Sequence, residues 1–318
     1  MNKTIITHEQ KRINRQKKRQ EFWKQVKKSR VSYSMVAPFL IIFFTFTVLP
    51  VLMSFFLSFT SFDMLQAPKF IGLDNYINLF LNDEVFLIAI KNTFILAVVT
   101  GPVSYILAFV FAWLIHELPR KIRWLMTLVF YAPSISGSAY LLWQLIFSSD
   151  MYGVLNATLI HLGVINAPIL WLETPRYALP ILIIVQLWLS LGVTFLAFIA
   201  GLQTVDRTLY EAAAIDGLRN RWQELWFITL PQMKSQLMFG AVMQITSALG
   251  IAAVSINLLG FPSVEYSGHT IVTHLMDFGS TNSTRLEMGY ASAIATVLFF
   301  IMLGSNLIVQ KIIRRVGS

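Results

Sequence analysis

Residues 92–115 read NTFILAVVTGPVSYILAFVFAWLI, a run of 24 residues without an Asp, Glu, Lys or Arg. A helical crossing of a bilayer needs about 20 consecutive, mostly apolar residues, so this stretch is long enough to span. It does not alternate apolar and polar residues as a barrel strand would, and its internal Pro102 is tolerated in a membrane helix. Charge-free stretches of comparable length lie at 31–62, 124–149, 177–205, 235–264 and 288–310. The chain is therefore read as an all-α integral membrane protein with six transmembrane helices. The stretch 31–62 follows a basic region, as a secretory signal core would. A signal core has only about 7–15 apolar residues and ends in a small-residue cleavage site, so a retained span is expected.

The composition agrees. Of 318 residues, 56% are apolar and 13% are charged, against about 25% charged in soluble domains. The absence of cysteine excludes disulfides, thiolate-bound metals and a thiol nucleophile. The five histidines, His8, His116, His161, His269 and His274, lack HExxH-type spacing, and no metal site is expected. No paired carboxylates or nucleophile–base set falls at membrane depth, which argues against an integral membrane enzyme.

Orientation follows from Lys and Arg. With the N-terminus inside, segments 1–30, 116–123, 206–234 and 311–318 are cytoplasmic and hold 21 of the 25 basic residues, leaving Lys69, Lys91, Arg176 and Arg285 outside. An even number of spans then puts both termini in the cytoplasm. The tail 1–30 carries 11 basic and 2 acidic residues, which accounts for the whole net charge of +9. The rest, 31–318, is neutral but polarised, basic inside and acidic outside. Two readings of the tail stay open: an amphipathic helix on anionic lipid, or a disordered segment that fixes topology. Nucleic-acid binding would be an odd use of a segment tethered at a membrane.

The spans hold no charge, whereas proton- and ion-coupled carriers place ionisable residues at membrane depth. The chain also lacks a GxxxxGK[ST] phosphate loop. A solute pathway with no energy source of its own predicts a partner that supplies one.

The most specific segment is the loop 206–234. Asp206 or Thr208 can cap a helix through Leu209, Tyr210, Glu211, Ala212, Ala213 and Ala214, and Gly217 can take the positive φ that ends it. Asn220 followed by Gln223 is an Asn variant of the capping-box spacing. It opens a second short helix carrying Trp222, Leu225, Trp226 and Phe227, then Ile228-Thr229-Leu230-Pro231. Either these aromatic helices dock onto a partner, or they lie under their own bundle.

Glu211-Ala212-Ala213, Gly217 and Ile228-Thr229-Leu230-Pro231 resemble the EAA motif of ATP-binding-cassette (ABC) importer permeases. The resemblance implies an importer-permease bundle whose coupling helix seats in a cleft of an ATPase subunit. It gives docking contacts to Glu211, Ala212 and Ala213 and a turn between cytoplasmic helices to Gly217. Between Gly217 and Ile228 this chain has one residue more than the common pattern, a departure assigned to the turn 218–221.

Other segments resemble the carbohydrate branch of these permeases, in particular the larger membrane subunit of maltose transporters. Phe70-Ile71-Gly72-Leu73-Asp74-Asn75-Tyr76 is similar to its F-x-G-x-x-N-Y stretch, and Gly201-Leu202-Gln203 leads into Tyr210-Glu211 as it does there. The likeness covers roughly residues 35–312 and implies sugar contacts in the helices flanking the loop. The matching positions are Trp188, Leu189, Ser190 and Val193 before it, and Gln244, Ser247, Ala248 and Ile251 after it. Trp188, Ser190, Gln244 and Ser247 have the aromatic faces, amides and hydroxyls that hold sugars. Each has a packing alternative: Trp188 as an ordinary core aromatic, and Gln244, like Gln144 and Gln186, as interhelical glue. The run Pro133-Ser134-Ile135-Ser136-Gly137-Ser138 is expected to break the third span, to line a cavity or to allow close helix packing.

The reading implied is a permease subunit that imports an oligosaccharide or related solute through a bacterial or archaeal cell membrane. It would be non-catalytic and hold no cofactor, ATP being bound by the partner. Its expected partners are a second six-helix permease, two ATPase subunits and an extracytoplasmic binding protein. The alternatives are importer permeases for amino acids, polyamines or phosphate, and a non-transporting membrane sensor or scaffold.

Overall fold

A computed structural model of the chain describes residues 28–279 and 286–316, together with Glu21, Lys24 and Gln25. The two readings of the basic tail fall largely outside the described residues. The chain divides into two compact units, 1–56 and 57–318.

In the first unit lies most of one long apolar helix, α1 (Arg30–Leu57). Residues Phe44–Val48 form a π turn just ahead of Pro50. Pro50 has no N–H to continue the α ladder, and a wider turn at that point absorbs the missing bond.

The second unit opens with a short antiparallel hairpin, β1 (Thr60–Ser61) and β2 (Lys69–Phe70), with Thr60 opposite Phe70. The N-Y pair that follows is what fastens it. Asn75 Nδ2 donates to Ser58 O at 2.9 Å and to Thr60 O at 3.0 Å, and the Tyr76 hydroxyl donates to Ser58 Oγ at 2.7 Å.

Next comes α2 (Glu84–His116), the hub of the bundle, capped by Asp83, whose side chain accepts from Phe86 N. Its buried residues include Ala89, Thr93, Leu96, Thr100, Ser104, Ala108 and Ala112, a mostly small stripe at helical spacing. Lipid offers no hydrophobic drive between helices, so small residues that let backbones approach supply the packing. Thr93 and Thr100 return their hydroxyls to Ala89 O and Leu96 O, both at 2.7 Å, leaving no unpaired polar group on that stripe.

The third span is broken as its sequence predicts. Helices α3 (Arg120–Ile135) and α4 (Tyr140–Ile146) meet at 83°, because Pro133 withholds an N–H and Ser136 turns extended. The fourth span also divides, into α5 (Pro175–Leu189) and α6 (Val193–Thr204). After α7 (Arg207–Ile215) in the loop, the fifth divides into α8 (Lys234–Leu249) and α9 (Ala253–Leu259). A short helix, α10 (Ile271–Gly279), precedes the last span, α11 (Met288–Val316). Among the described residues five helices are long and apolar enough to cross a membrane, or six if the bent pair α3–α4 counts as one span.

Three clusters of buried apolar side chains hold the second unit together. Leu96, Leu182 and Val185 centre one; Phe195, Phe198 and Met233 centre another; Phe86, Ile271 and Ile294 centre the third. Helix α2 contributes to all three.

Candidate functional site

Both ends of α7 are fixed by its own sequence. Asp206 accepts from Thr208 N at 3.0 Å, and these hydrogen bonds hold its carboxyl below the usual carboxylate range. At the other end Gly217 has φ +97°. Its N–H bonds Ala214 O at 3.3 Å and the Leu218 N–H bonds Ala213 O at 3.0 Å, the paired bonds of a Schellman motif. The second helix starts at Asn220, which accepts from Gln223 N at 2.8 Å. Gln223 Oε1 accepts in return from Arg219 N at 2.9 Å, one residue before the position a standard box uses.

Burial divides the loop in two. Leu225, Ile228 and Thr229 are buried, and Trp222 lies against Trp113 of α2 at 5.3 Å between ring centroids. On α7, by contrast, Glu211 and Ala212 are exposed, Ala213 is half-buried and Ile215 is 87% exposed. Trp226 and Phe227 also face outward.

A π turn lies at Leu225–Thr229, where Thr229 Oγ1 reaches back five residues to Glu224 O. Arg221 bonds Glu224 at 2.7 Å and approaches Glu117 at 3.4 Å, an exposed pairing of small energetic weight.

The residues expected along the solute path do not share one cavity. Gln244 is buried and, with Ala248, lines an apolar cavity of about 410 Å³ between α2, α8 and α11, beside Tyr105 and Ser305. Trp188 is half-buried, edge-on to Trp143 of α4 at 5.6 Å. The indole N–H of Trp143 is buried without a hydrogen-bond partner among the described residues. Ser190 is committed to structure, with its hydroxyl 2.6 Å from Ser104 Oγ and 2.7 Å from Leu187 O at the break between α5 and α6. Val193 and Ser247 are exposed. Leu189 is half-buried and Ile251 buried. Gln144 bonds Asn257 O of α9, the interhelical role expected of it.

No family model matches the chain. It is 36% identical over 279 residues to the probable ABC transporter permease protein YesP of Bacillus subtilis, covering 87% of this chain and 88% of the relative. The chain belongs to the ABC transporter permease family. The permease is also 35% identical over 218 residues to the lactose transport system permease protein LacF of Rhizobium radiobacter, covering 68% and 70% of the two chains. A chain of the bacterial alginate ABC transporter, solved in complex with an alginate pentasaccharide-bound periplasmic protein, superposes with a TM-score of 0.72 at 25% identity. The match covers 93% of the permease and 98% of that chain. The permease is a multi-pass protein of the cell membrane.

At the opposite end of α2 from this loop the structure assembles side chains that the sequence scatters. A polar cavity of about 690 Å³ is lined by Asp83, Glu84, His274, Asp277, Glu287 and Tyr290, among others. Burial pushes the Asp83 carboxyl up, but hydrogen bonds from His274, Phe86 N and Tyr290 prevail and hold it at about 2. Asp277 is likewise raised by burial and brought down to about 2 by His269 and His274. Burial disfavours the His274 cation, yet its bonds to Asp277 and Asp83 leave its pKa raised. His274 and Asp277 stand three apart on α10, a signal legible in sequence; their meeting with Asp83 is not.

Proposed function

We propose that the permease translocates an oligosaccharide or related solute as one membrane subunit of an ATP-driven importer. It pairs with a second six-helix permease, two ATPase subunits and an extracytoplasmic binding protein, and its termini and the loop 206–234 face the cytoplasm. The observation that carries this reading is α7: a helix fixed at both ends that nevertheless leaves Glu211, Ala212 and Ile215 exposed. The ends are stabilised by local bonds, so the exposed face is free to seat on an ATPase.

The loop is well placed to pass movement into the membrane. Helix α7 follows α6 after Val205 and Asp206, and the buried segment around Ile228 leads through Leu230–Gln232 into α8. Closure of the ATPases on ATP would displace α7 and carry α6 and α8, and with them spans four and five, between outward- and inward-facing arrangements. The solute-side groups are Gln244 in its cavity and the Trp143–Trp188 pair. The pair's aromatic rings suit a sugar's CH surface. Val193 and Ser247 complete the path by position, while Ser190, its hydroxyl held by Ser104 and Leu187, shapes the break between α5 and α6 beside it. The subunit performs no bond chemistry and holds no cofactor.

The reading is tested by reconstituting the importer with Glu211→Ala or Gly217→Val in this chain. Loss of sugar-stimulated ATP hydrolysis and uptake, or of ATPase assembly, is expected. Normal stimulated hydrolysis and normal uptake in both variants contradict the assignment.

A further inference from the structure

We propose that His269, His274 and Asp277 form a binding site for a divalent transition-metal ion of the zinc type. His269 Nε2 lies 3.1 Å from Asp277 Oδ2 and 3.3 Å from His274 Nδ1, and His274 Nδ1 lies 3.7 Å from Asp277 Oδ2. A tetrahedral ion with bonds of about 2.0–2.1 Å separates its ligand atoms by about 3.3–3.4 Å. The three atoms thus form one face of such a tetrahedron with little adjustment. Two imidazoles and a carboxylate are also the donor types that zinc and its neighbours take.

The surroundings supply the supporting shell a metal site requires. The far nitrogen of His274, Nε2, is 2.9 Å from Asp83 Oδ2, so an Nε2–H donated there leaves the Nδ1 lone pair for the ion. Asp83 is itself anchored by the Tyr290 hydroxyl at 2.7 Å and Phe86 N at 2.8 Å. Both histidines are buried, at 1% and 3% exposure, and their rings are wedged. His269 lies between Phe261 and Tyr266, and His274 between Phe86 and Phe278.

The backbone that presents the ligands is equally constrained. Asn92 Nδ2 donates to Tyr266 O and His269 O, both at 3.0 Å, and Thr93 Oγ1 accepts from Ile271 N at 2.9 Å. Thr270 and Thr273 cap α10 reciprocally, Thr270 N to Thr273 Oγ1 at 2.7 Å and Thr273 N to Thr270 Oγ1 at 3.3 Å. His274 and Asp277 line the 690 Å³ cavity, from which water would supply the remaining ligand. That cavity also holds Asp83, Glu84 and Glu287, and no Lys or Arg is among its described lining residues, a field that favours a cation. A bound ion would tie the loop before α10 and α10 itself to the start of α2 and, through Tyr290, to α11.

The experiment uses the full chain without a polyhistidine tag, in lipid nanodiscs, stripped with chelator and titrated with Co²⁺ and then Zn²⁺. The expected result is saturable uptake of about one Co²⁺ per chain with the visible absorption of a tetrahedral site, displaced by Zn²⁺. Asp83→Asn, which alters only the supporting carboxylate, is expected to weaken binding by about 10- to 100-fold. Asp277→Asn is expected to weaken it at least as much. Absence of saturable uptake by the folded wild-type chain overturns the proposal, and so does undiminished uptake by folded Asp277→Asn and His269→Gln variants.

Discussion

The Tyr210 hydroxyl lies 2.8 Å from Thr229 Oγ1, and this contact joins the exposed helix of the loop to the buried segment that leads back into the membrane. Thr229 is 2% exposed, so the bond is sheltered from water where it matters. Replacing Tyr210 with Phe removes this bond while Thr229 Oγ1 keeps Glu224 O, a cost of about 1 kcal/mol. Faster amide exchange is expected across α7 in Tyr210→Phe, with α2 unaffected. Unchanged exchange in α7 would show that the two helices do not communicate through this bond.

Gly217 stands at φ +97° with nothing within 4 Å of a Cβ built on it. The penalty for Gly217→Ala is therefore conformational, about 1–2 kcal/mol for an L-residue held in the left-handed region. Gly217→Asn should cost less, since Asn visits that region more readily. The predicted order of loop protection in hydrogen exchange is Gly, then Asn, then Ala. An Ala variant as well protected as Gly would remove the Schellman end from the account.

Gly289 is constrained by space instead. A Cβ there would lie 2.1 Å from Thr60 O, and Gly289 N already donates to Phe62 O at 3.0 Å. Both neighbours are backbone, so Gly289→Ala has to separate the hairpin from α11, at a cost of about 1–3 kcal/mol. Thermal unfolding in detergent should fall by several degrees. An unchanged midpoint would mean that hairpin and helix are not in close apposition.

Gln244 lines a mostly apolar cavity that it shares with Tyr105 and Ser305. If it holds solute, Gln244→Leu forfeits a hydrogen bond of about 0.5–1.5 kcal/mol and raises the half-saturating solute concentration of uptake by roughly two- to tenfold. Uptake kinetics in proteoliposomes measure this. An unaltered half-saturation would return Gln244 to the role of helix-to-helix glue.

The spans were legible because a bilayer demands long uncharged stretches, a requirement that composition alone exposes. The break in the third span was legible too, because Pro133 and Gly137 mark it. The breaks at Ser190–Gly192 and at Gly250 carry no proline. Tertiary bonds from Ser190 Oγ to Ser104, and from Thr270 Oγ1 to Ile251 O, accompany those openings, and the lone glycine at each, Gly192 and Gly250, is too weak a local signal to announce them. The loop's caps were readable since Asp206, Gly217, Asn220 and Gln223 act on neighbours within a few residues. The meeting of His274 with Asp83, 191 positions apart, depends on how α10 settles against α2. The same holds for Trp188, whose partner Trp143 is set by the bend between α3 and α4.

Helix α7 is the surface proposed to meet the ATPase, and the chain's lack of cysteine allows a direct test. A single cysteine in place of exposed Ala212 is labelled with a water-soluble maleimide in the permease alone and in the assembled importer. Rapid labelling is expected alone and strong protection once the ATPase subunits are bound, with a control cysteine at exposed Tyr152 labelled equally in both. Equal labelling of the Ala212→Cys variant with and without bound ATPase would contradict that role for α7.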